Sequence, residues 1–449
     1  MALAPSAAQT DAHDAASEGV NAPDLQLFVF ALFFIFGGIT SLNDVIIPKL
    51  KELFTLNFFQ AMLVQFCFFT AYAVIGIPGA MLVKRIGYMR GAVVGLSTML
   101  VGCLLFIPAS QNGVYELFLL ALFVLASGVV LVQIVANPLI SLLGPPRTAH
   151  SRLTFAQAFN SVGTTIFPFV GALVILAPLA ASGGTTVQSF WDVSRVIDPD
   201  CRGGHPPVAV APTAAYRIAE TQIVAQTYLG LAIALAVIAL VVWVFRNRLR
   251  GEQHDATSLS ASLSLLSRPR FAFGALCIFL YVGAEVAIGS ALVNYLKSSH
   301  SLCLTEQSAG KQLLFYWGGA MLGRFVGSAV LRAVSPGKVL AGVAVGAIAL
   351  ILASIATSGA VAANTLLAVG LMNAIMFPTI FSLASEKLGP RAADGSGIIN
   401  VAIFGGAVIP LITGALADAT SLTAALLLPA VCYGVIAAYG IYARKPAVD

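Results

Sequence analysis

Twelve apolar runs, each long enough to cross a bilayer, dominate this chain and leave few forms open to it. They lie near 25–48, 58–83, 91–109, 114–143, 153–180 and 222–245, then near 270–296, 309–331, 338–358, 361–385, 395–417 and 421–442. About 20 apolar residues make an α-helix that spans the hydrocarbon core. In lipid the backbone must satisfy its own hydrogen bonds, so these runs are expected to be helices. Only 10% of the 449 residues are charged, against about 25% in soluble domains, and that excludes a water-soluble globular protein.

The runs fall into two sets of six, which divides the chain into parts. Residues 1–24 read as a flexible tail, 25–246 as a first six-helix bundle, 247–268 as a linker, 269–443 as a second bundle and 444–449 as a short tail. The first 22 residues are rich in Ala, Ser and Asp and lack the basic start of a cleaved signal peptide. Of 24 Lys and Arg residues, 16 fall in the linker, in the C-terminal tail or in connections on the linker's side of the bundle, among them Arg85, Arg147, Arg246, Arg270 and Arg444. Positive charge gathers on the cytoplasmic side of membrane proteins, so both termini are expected there. The basic residues are dispersed over separate loops and form no nucleic-acid-binding surface.

The two sets also read as repeats. Leu143-Gly144-Pro145 after the fourth run recurs as Leu388-Gly389-Pro390 after the tenth, and Gly163 with Pro168 in the fifth recurs as Gly405 with Pro410 in the eleventh. The basic turn Lys84 to Arg90 has a counterpart in Arg332 to Lys338. Transporters are commonly built from such duplicated bundles, with the binding site between the repeats.

Within the first run, Leu25 to Ile47 holds a single charge, Asp44, next to the amide of Asn43. A carboxylate in a membrane helix marks a substrate or proton path, unless it reaches the interface at the helix end. Glu285, midway along the seventh run, raises the same question. No Gly-rich phosphate loop, His-Glu-x-x-His motif or nucleophile-plus-base arrangement is present, so neither ATP-driven transport nor membrane enzymology is expected.

With twelve spans, a central loop and basic turns between spans two and three and spans eight and nine, the chain resembles the major facilitator superfamily. The resemblance implies an all-α membrane fold of twelve transmembrane helices in two pseudo-symmetric six-helix halves. The first basic turn departs from the superfamily signature, having Lys84 where an acid is usual. More closely, Ser41-Leu42-Asn43-Asp44, Ala136-Asn137-Pro138, Phe155 to Ser161, Tyr281-Val282-Gly283-Ala284, Gly323-Arg324-Phe325 and Pro378 to Leu383 are similar to the fucose–galactose–glucose proton symporter family. That likeness implies proton coupling at Asp44 and sugar contact at Asn160. Gln133 stands where fucose permeases have Glu, and Glu285 where they tend to have Gln; both features resemble the glucose/galactose branch.

A sugar needs neutral donors and acceptors, and amides supply both. Gln133 and Asn137 share a helix face, and Gln157, Asn160, Ser161 and Thr164 form a continuous polar stripe along span five. Such a stripe either faces a cavity between the halves or bonds helix to helix. Tyr281 and Glu285 share one face of span seven. Asn43, Asn294, Asn373 and Asn400 complete the candidate substrate contacts. Asp44 and Glu285 are the candidate proton-coupling acids, since coupling needs a carboxyl that takes up and releases a proton as the cavity changes sides.

Arg85, Arg324, Pro138 and Pro378 are candidate gating residues, and Pro138, Pro168, Pro378 and Pro410 are expected to interrupt spans four, five, ten and eleven. Cys201 and Cys303 fall in loops on the side opposite the linker, where a disulfide between them would join the halves and restrict opening. No resident cofactor or metal is expected. The partners are a small sugar, a co-transported proton or sodium ion, and the bilayer of a bacterial inner membrane, in which the chain would work as a monomer.

Overall fold

The computed structural model describes residues 23–142, 149–176, 195–198, 201, 214–246, 264–386, 388 and 392–444. The expected tail over 1–22, the linker over 247–263, Leu143-Gly144-Pro145, Gly389-Pro390, Arg147 and the side chains of Lys84, Asn137, Pro138 and Arg332 lie outside the described residues. The first six spans are α1 Pro23–Leu53, α2 Phe58–Ile86, α3 Tyr88–Asn112, α4 Tyr115–Leu142, α5 Ala149–Val174 and α6 Ala214–Val244. Then come α7 Pro269–Lys297, α8 Glu306–Ala333 and α9 Pro336–Ala356. Each of the last three spans is divided: α10 Gly359–Asn373 with α11 Met376–Ala384, α12 Ala392–Ala402 with α13 Gly405–Ala419, and α14 Leu422–Ala425 with α15 Leu427–Tyr442.

Among the described residues, 11 spans are long and apolar enough to cross a membrane. Span five, α5, is outside that set because its amides and hydroxyls dilute the apolar run. The chain is a multi-pass membrane protein. Local chemistry sets the helix ends: Asn57 and Gln60 form a reciprocal capping box at the start of α2, and Gly113, with φ 59°, closes α3 in the left-handed conformation that glycine adopts freely.

Packing shows the duplication directly. Within the first half α1 lies on α5, α2 on α4, and α3 on both α4 and α6; within the second, α7 lies on α13, α8 on α10, and α9 on both α10 and α15. The halves meet through α1 and α7, α2 and α13, and α5 and α8. Adding six spans to any of these pairs returns one of them, the pair α1 with α7 returning itself, as a pseudo-twofold axis requires. The repeat glycines do equivalent work: a Cβ on Gly163 would lie 2.1 Å from the Phe34 carbonyl oxygen, and one on Gly405 would lie 1.8 Å from that of Phe279. Only glycine lets α5 cross α1, and α13 cross α7, at that distance.

The structure corrects three of the four expected proline interruptions. Helices α4, α5 and α13 run through Pro138, Pro168 and Pro410. Span ten does break, at Ala374 and Ile375, just ahead of Pro378. Span eleven breaks at Ile403 and Phe404, through three-residue backbone turns well before Pro410. A prolyl ring removes one hydrogen bond to the carbonyl four residues back, a loss that a long packed helix tolerates where neighbouring groups re-satisfy the backbone.

The end of the bundle away from the chain termini, termed distal here, ties the halves together. Both carboxylate oxygens of Asp418 on α13 accept 2.7 Å hydrogen bonds from the free backbone N–H groups of Phe58 and Phe59 that open α2. Lys297 of α7 lies 3.7 Å from Glu52 of α1 and 3.2 Å from Glu306 of α8. Cys201 and Cys303 form a disulfide, beside an antiparallel bridge between Ile197 and Leu304. The chain between Val174 and Ala214 is long enough for this bond to pin the loop to the second half without fixing the separation of the halves, so the expected restriction of opening does not follow.

Candidate functional site

Helix α1 continues to Leu53, well past Asp44, and Asp44 is 2% exposed. It is therefore no interfacial residue at a helix end. Its Oδ1 accepts from Ser290 Oγ at 3.1 Å and from Gln65 Nε2 at 3.3 Å, and its Oδ2 accepts from Trp317 Nε1 at 3.1 Å. Gln65 Nε2 also donates to Ser290 Oγ at 2.8 Å, and Asn43 Nδ2 donates to Gln65 Oε1 at 3.4 Å. Gln65 belongs to α2, Ser290 to α7 and Trp317 to α8, so donors from both halves converge on one carboxyl.

These donors are all neutral. A buried carboxylate without a cation is tolerable only when it is well hydrogen-bonded or when it takes a proton. Ser290 can serve either form, because a hydroxyl donates to a carboxylate and accepts from a carboxylic acid; the Trp317 N–H can only donate. A cavity of about 40 Å³ adjoins Asp44, between Thr40, Gln65 and Thr164 of the first half and Val286 and Trp317 of the second. It admits a water molecule or two and no sugar.

A second polar cluster lies inside the second half, around the break in span ten. Pro378 has no N–H for the Ala374 carbonyl, which is the partner four residues back. Arg324 Nε takes that place at 3.4 Å, and the neighbouring carbonyl of Asn373 accepts from the Tyr281 hydroxyl at 3.0 Å. The same hydroxyl lies 2.8 Å from Glu285 Oε1. Asn373 is fully buried, with its Oδ1 accepting from Tyr433 at 2.7 Å and its Nδ2 donating to the Tyr316 hydroxyl at 3.0 Å. In this arrangement Asn373 braces the break and presents no free group to a ligand.

Arg324 connects this cluster to the first half. Its Nη1 donates to Ser161 Oγ and to the Gln157 carbonyl on α5, so one guanidinium touches the span-ten break and the polar stripe at once. Among the described residues it makes no ion pair with Glu285. Tyr316 and Trp317 are in edge-to-face contact at 5.1 Å, which places the two clusters side by side.

The remaining candidates are more scattered. Gln133 donates to the Tyr72 hydroxyl at 2.9 Å within the first half. Asn160 is half-buried where α5 crosses α1, its Nδ2 at 3.5 Å from the Phe33 carbonyl. Thr164 lines the small cavity, while Asn294 has a buried Nδ2 with no partner among the described residues. Asn400 is exposed on α12 and Arg85 is exposed at the end of α2; neither bonds to these clusters. The side chain of Asn137 lies outside the described residues.

Gln65, Ser290 and Trp317 were not singled out by sequence reasoning. A lone amide in an apolar span and a Trp at mid-membrane, away from the interfacial belt where Trp gathers, are the signals that mark two of them. Ser290 carries no such signal.

Two pseudo-symmetric bundles with a polar site on their shared seam define a transporter that works by alternating exposure, not an enzyme. A model of the Major Facilitator Superfamily matches residues 29–186. The chain is 46% identical over 414 residues to a glucose/galactose transporter of Brucella abortus, covering 92% of each chain. It is 32% identical over 432 residues to the L-fucose-proton symporter of Escherichia coli, covering 93% of each. It is also similar to the crystal structure of the transporter FucP in the outward conformation, at 31% identity and a TM-score of 0.67, covering 94% of this chain and 99% of that one. The chain belongs to the major facilitator superfamily, within the family of the fucose, galactose and glucose symporters.

Proposed function

We propose that this protein imports a hexose, glucose or galactose, across the bacterial inner membrane by proton symport, with both termini in the cytoplasm. The observation that carries the reading is Asp44, a buried carboxyl held by neutral donors from both halves. A proton on Asp44 changes what it can accept from Ser290 and Trp317. Proton occupancy and the separation of the halves are thereby linked, and linkage of this kind is what coupling requires. The donor set favours a proton over sodium. A hard cation needs oxygen ligands, whereas the Trp317 N–H points its hydrogen at Oδ2.

The substrate assignment rests on the amides and on the relatives' names. Gln133, Gln157, Asn160 and Asn294 supply donors and acceptors suited to hydroxyls, and the glucose/galactose transporter of Brucella abortus is the more similar of the two relatives described above. Positive charge on the terminal side orients the chain, so the distal end faces the periplasm and the arrangement described is closed to it. A sugar reaches the site after the halves rock about the seam between α1 and α7. In this reading the chain acts as a monomer, its site lying between its own two halves.

Counterflow tests the substrate class. Proteoliposomes preloaded with unlabelled galactose should take up labelled galactose and labelled glucose, each competing with the other, and should exchange fucose poorly. Fucose exchange as fast as galactose would move the protein to the fucose branch. Exchange of none of the three sugars would reject the substrate class.

A further inference from the structure

The distal face of the second half holds a cleft whose lining shares no residue with the Asp44 cavity. Helices α8 and α10 touch where a Cβ on Gly370 would lie 2.0 Å from the Tyr316 carbonyl oxygen. Toward the distal end they part. Between Phe315 on α8 and Leu367 and Ala368 on α10 lies a cavity of about 290 Å³, with Arg195 and Asn364 at its rim. Arg195 comes from the loop of the first half and spans the gap, its Nε donating to Gln312 on α8 at 3.2 Å and its Nη2 to Asn364 on α10 at 2.5 Å.

Both acceptors are neutral amides, and among the described residues no carboxylate pairs with this guanidinium. Arginine carries five N–H donors in a planar fork, so three are without an acceptor among the described residues. The loop segment that bears it is held in place: Val196 N donates to Ser308 Oγ at 3.0 Å, Thr305 N donates to the Val196 carbonyl at 2.9 Å, and Cys201 is bonded to Cys303. Gln312 and Asn364 lie one to two turns inside the ends of their helices, about 8 Å by helical rise. That is the depth at which lipid headgroups give way to acyl chains. Phe315, one turn deeper, is 50% exposed on the bundle's outer surface.

We propose that this cleft binds an anionic phospholipid of the distal leaflet, its phosphate on Arg195 and one acyl chain between Phe315 and Leu367. The phosphate supplies a negative charge that no described residue gives the guanidinium, in the geometry arginine favours. The apolar walls suit a chain and not a free anion. A lipid held there would fasten the loop of the first half to the second half alongside the disulfide.

The full-length protein, stripped in mild detergent and re-equilibrated with phosphatidylglycerol or phosphatidylcholine, would be examined by native mass spectrometry. The wild type should retain phosphatidylglycerol with about tenfold preference, the size of one charge-assisted contact. Arg195→Gln should lose the preference. Leu367→Trp, which fills the cleft and leaves Arg195 intact, should lose the lipid as well, and both variants must first show wild-type elution and thermal unfolding. Equal retention of the two lipids by the wild type, or undiminished preference in folded Arg195→Gln, would overturn the proposal. So would displacement of phosphatidylglycerol by millimolar inorganic phosphate, which would assign the site to a free anion.

Discussion

Asp44 and Glu285, two carboxyls within the spans, lie in neighbouring clusters and are held in opposite ways. Asp44 lies on the seam, bonded through Ser290 and Trp317 to helices of the other half. Glu285 lies within one half, bonded to a tyrosine of its own helix, which also supports the break in span ten. Bonds across a seam must break and re-form each time the halves move, whereas bonds inside a half travel with it. In the proposed function, this contrast gives coupling to Asp44 and substrate contact from a rigid wall to Glu285.

Trp317→Phe sharpens this contrast most, because it keeps an aromatic side chain, though a smaller one, and deletes one donor across the seam. Loss of a hydrogen bond to a charged group costs about 1.5–3 kcal/mol. Gradient-driven uptake should slow by about tenfold or more while equilibrium exchange persists; an unchanged rate would mean the seam bond is idle. Glu285→Gln is the counterpart inside the half. Apparent sugar affinity should fall by about tenfold with accumulation under a proton gradient retained, and loss of accumulation would break the comparison by making the two acids one unit.

Smaller effects follow in the supporting groups. Asn373→Ala strands the Tyr433 hydroxyl and removes the donor to the Tyr316 hydroxyl, which still donates to the Glu285 carbonyl, and should lower stability by about 1–2 kcal/mol in a thermal unfolding assay. A neutral result would show that the second cluster is not a brace. Asp418→Asn keeps a cap on α2 but removes its charge, an interaction of about 0.3–1 kcal/mol. Spin-label distances between the halves should then shift toward the distal-open form by about two- to fivefold in population, and apparent sugar affinity from the distal side should rise by no more than that factor.

Much of this was legible in the residues. The apolar runs defined the spans, and the repeat glycines Gly163 and Gly405 proved to be crossing points of equivalent helix pairs. Asp44 announced itself as the one charge in its run. The partners of Asp44 did not, because a carboxyl on the seam is satisfied from other spans, by Gln65 on α2 and Ser290 and Trp317 in the other half. No local pattern encodes that pairing.

The prolines show the same limit. Four looked alike in sequence, yet only the one ahead of which Arg324 and Tyr281 take up the freed carbonyls, Pro378, marks a broken helix. The disulfide was suggested by two loop cysteines, but its consequence depends on the length of loop attached, and that separates pinning a loop from locking a gate.

The most direct test of the account is accumulation of labelled galactose in proteoliposomes under an imposed inward proton gradient, comparing the wild type with Asp44→Asn. The account predicts that the wild type concentrates the sugar severalfold, while the variant exchanges it across the membrane yet only equilibrates it. Accumulation by Asp44→Asn at the wild-type level, or wild-type uptake indifferent to the gradient, would contradict it.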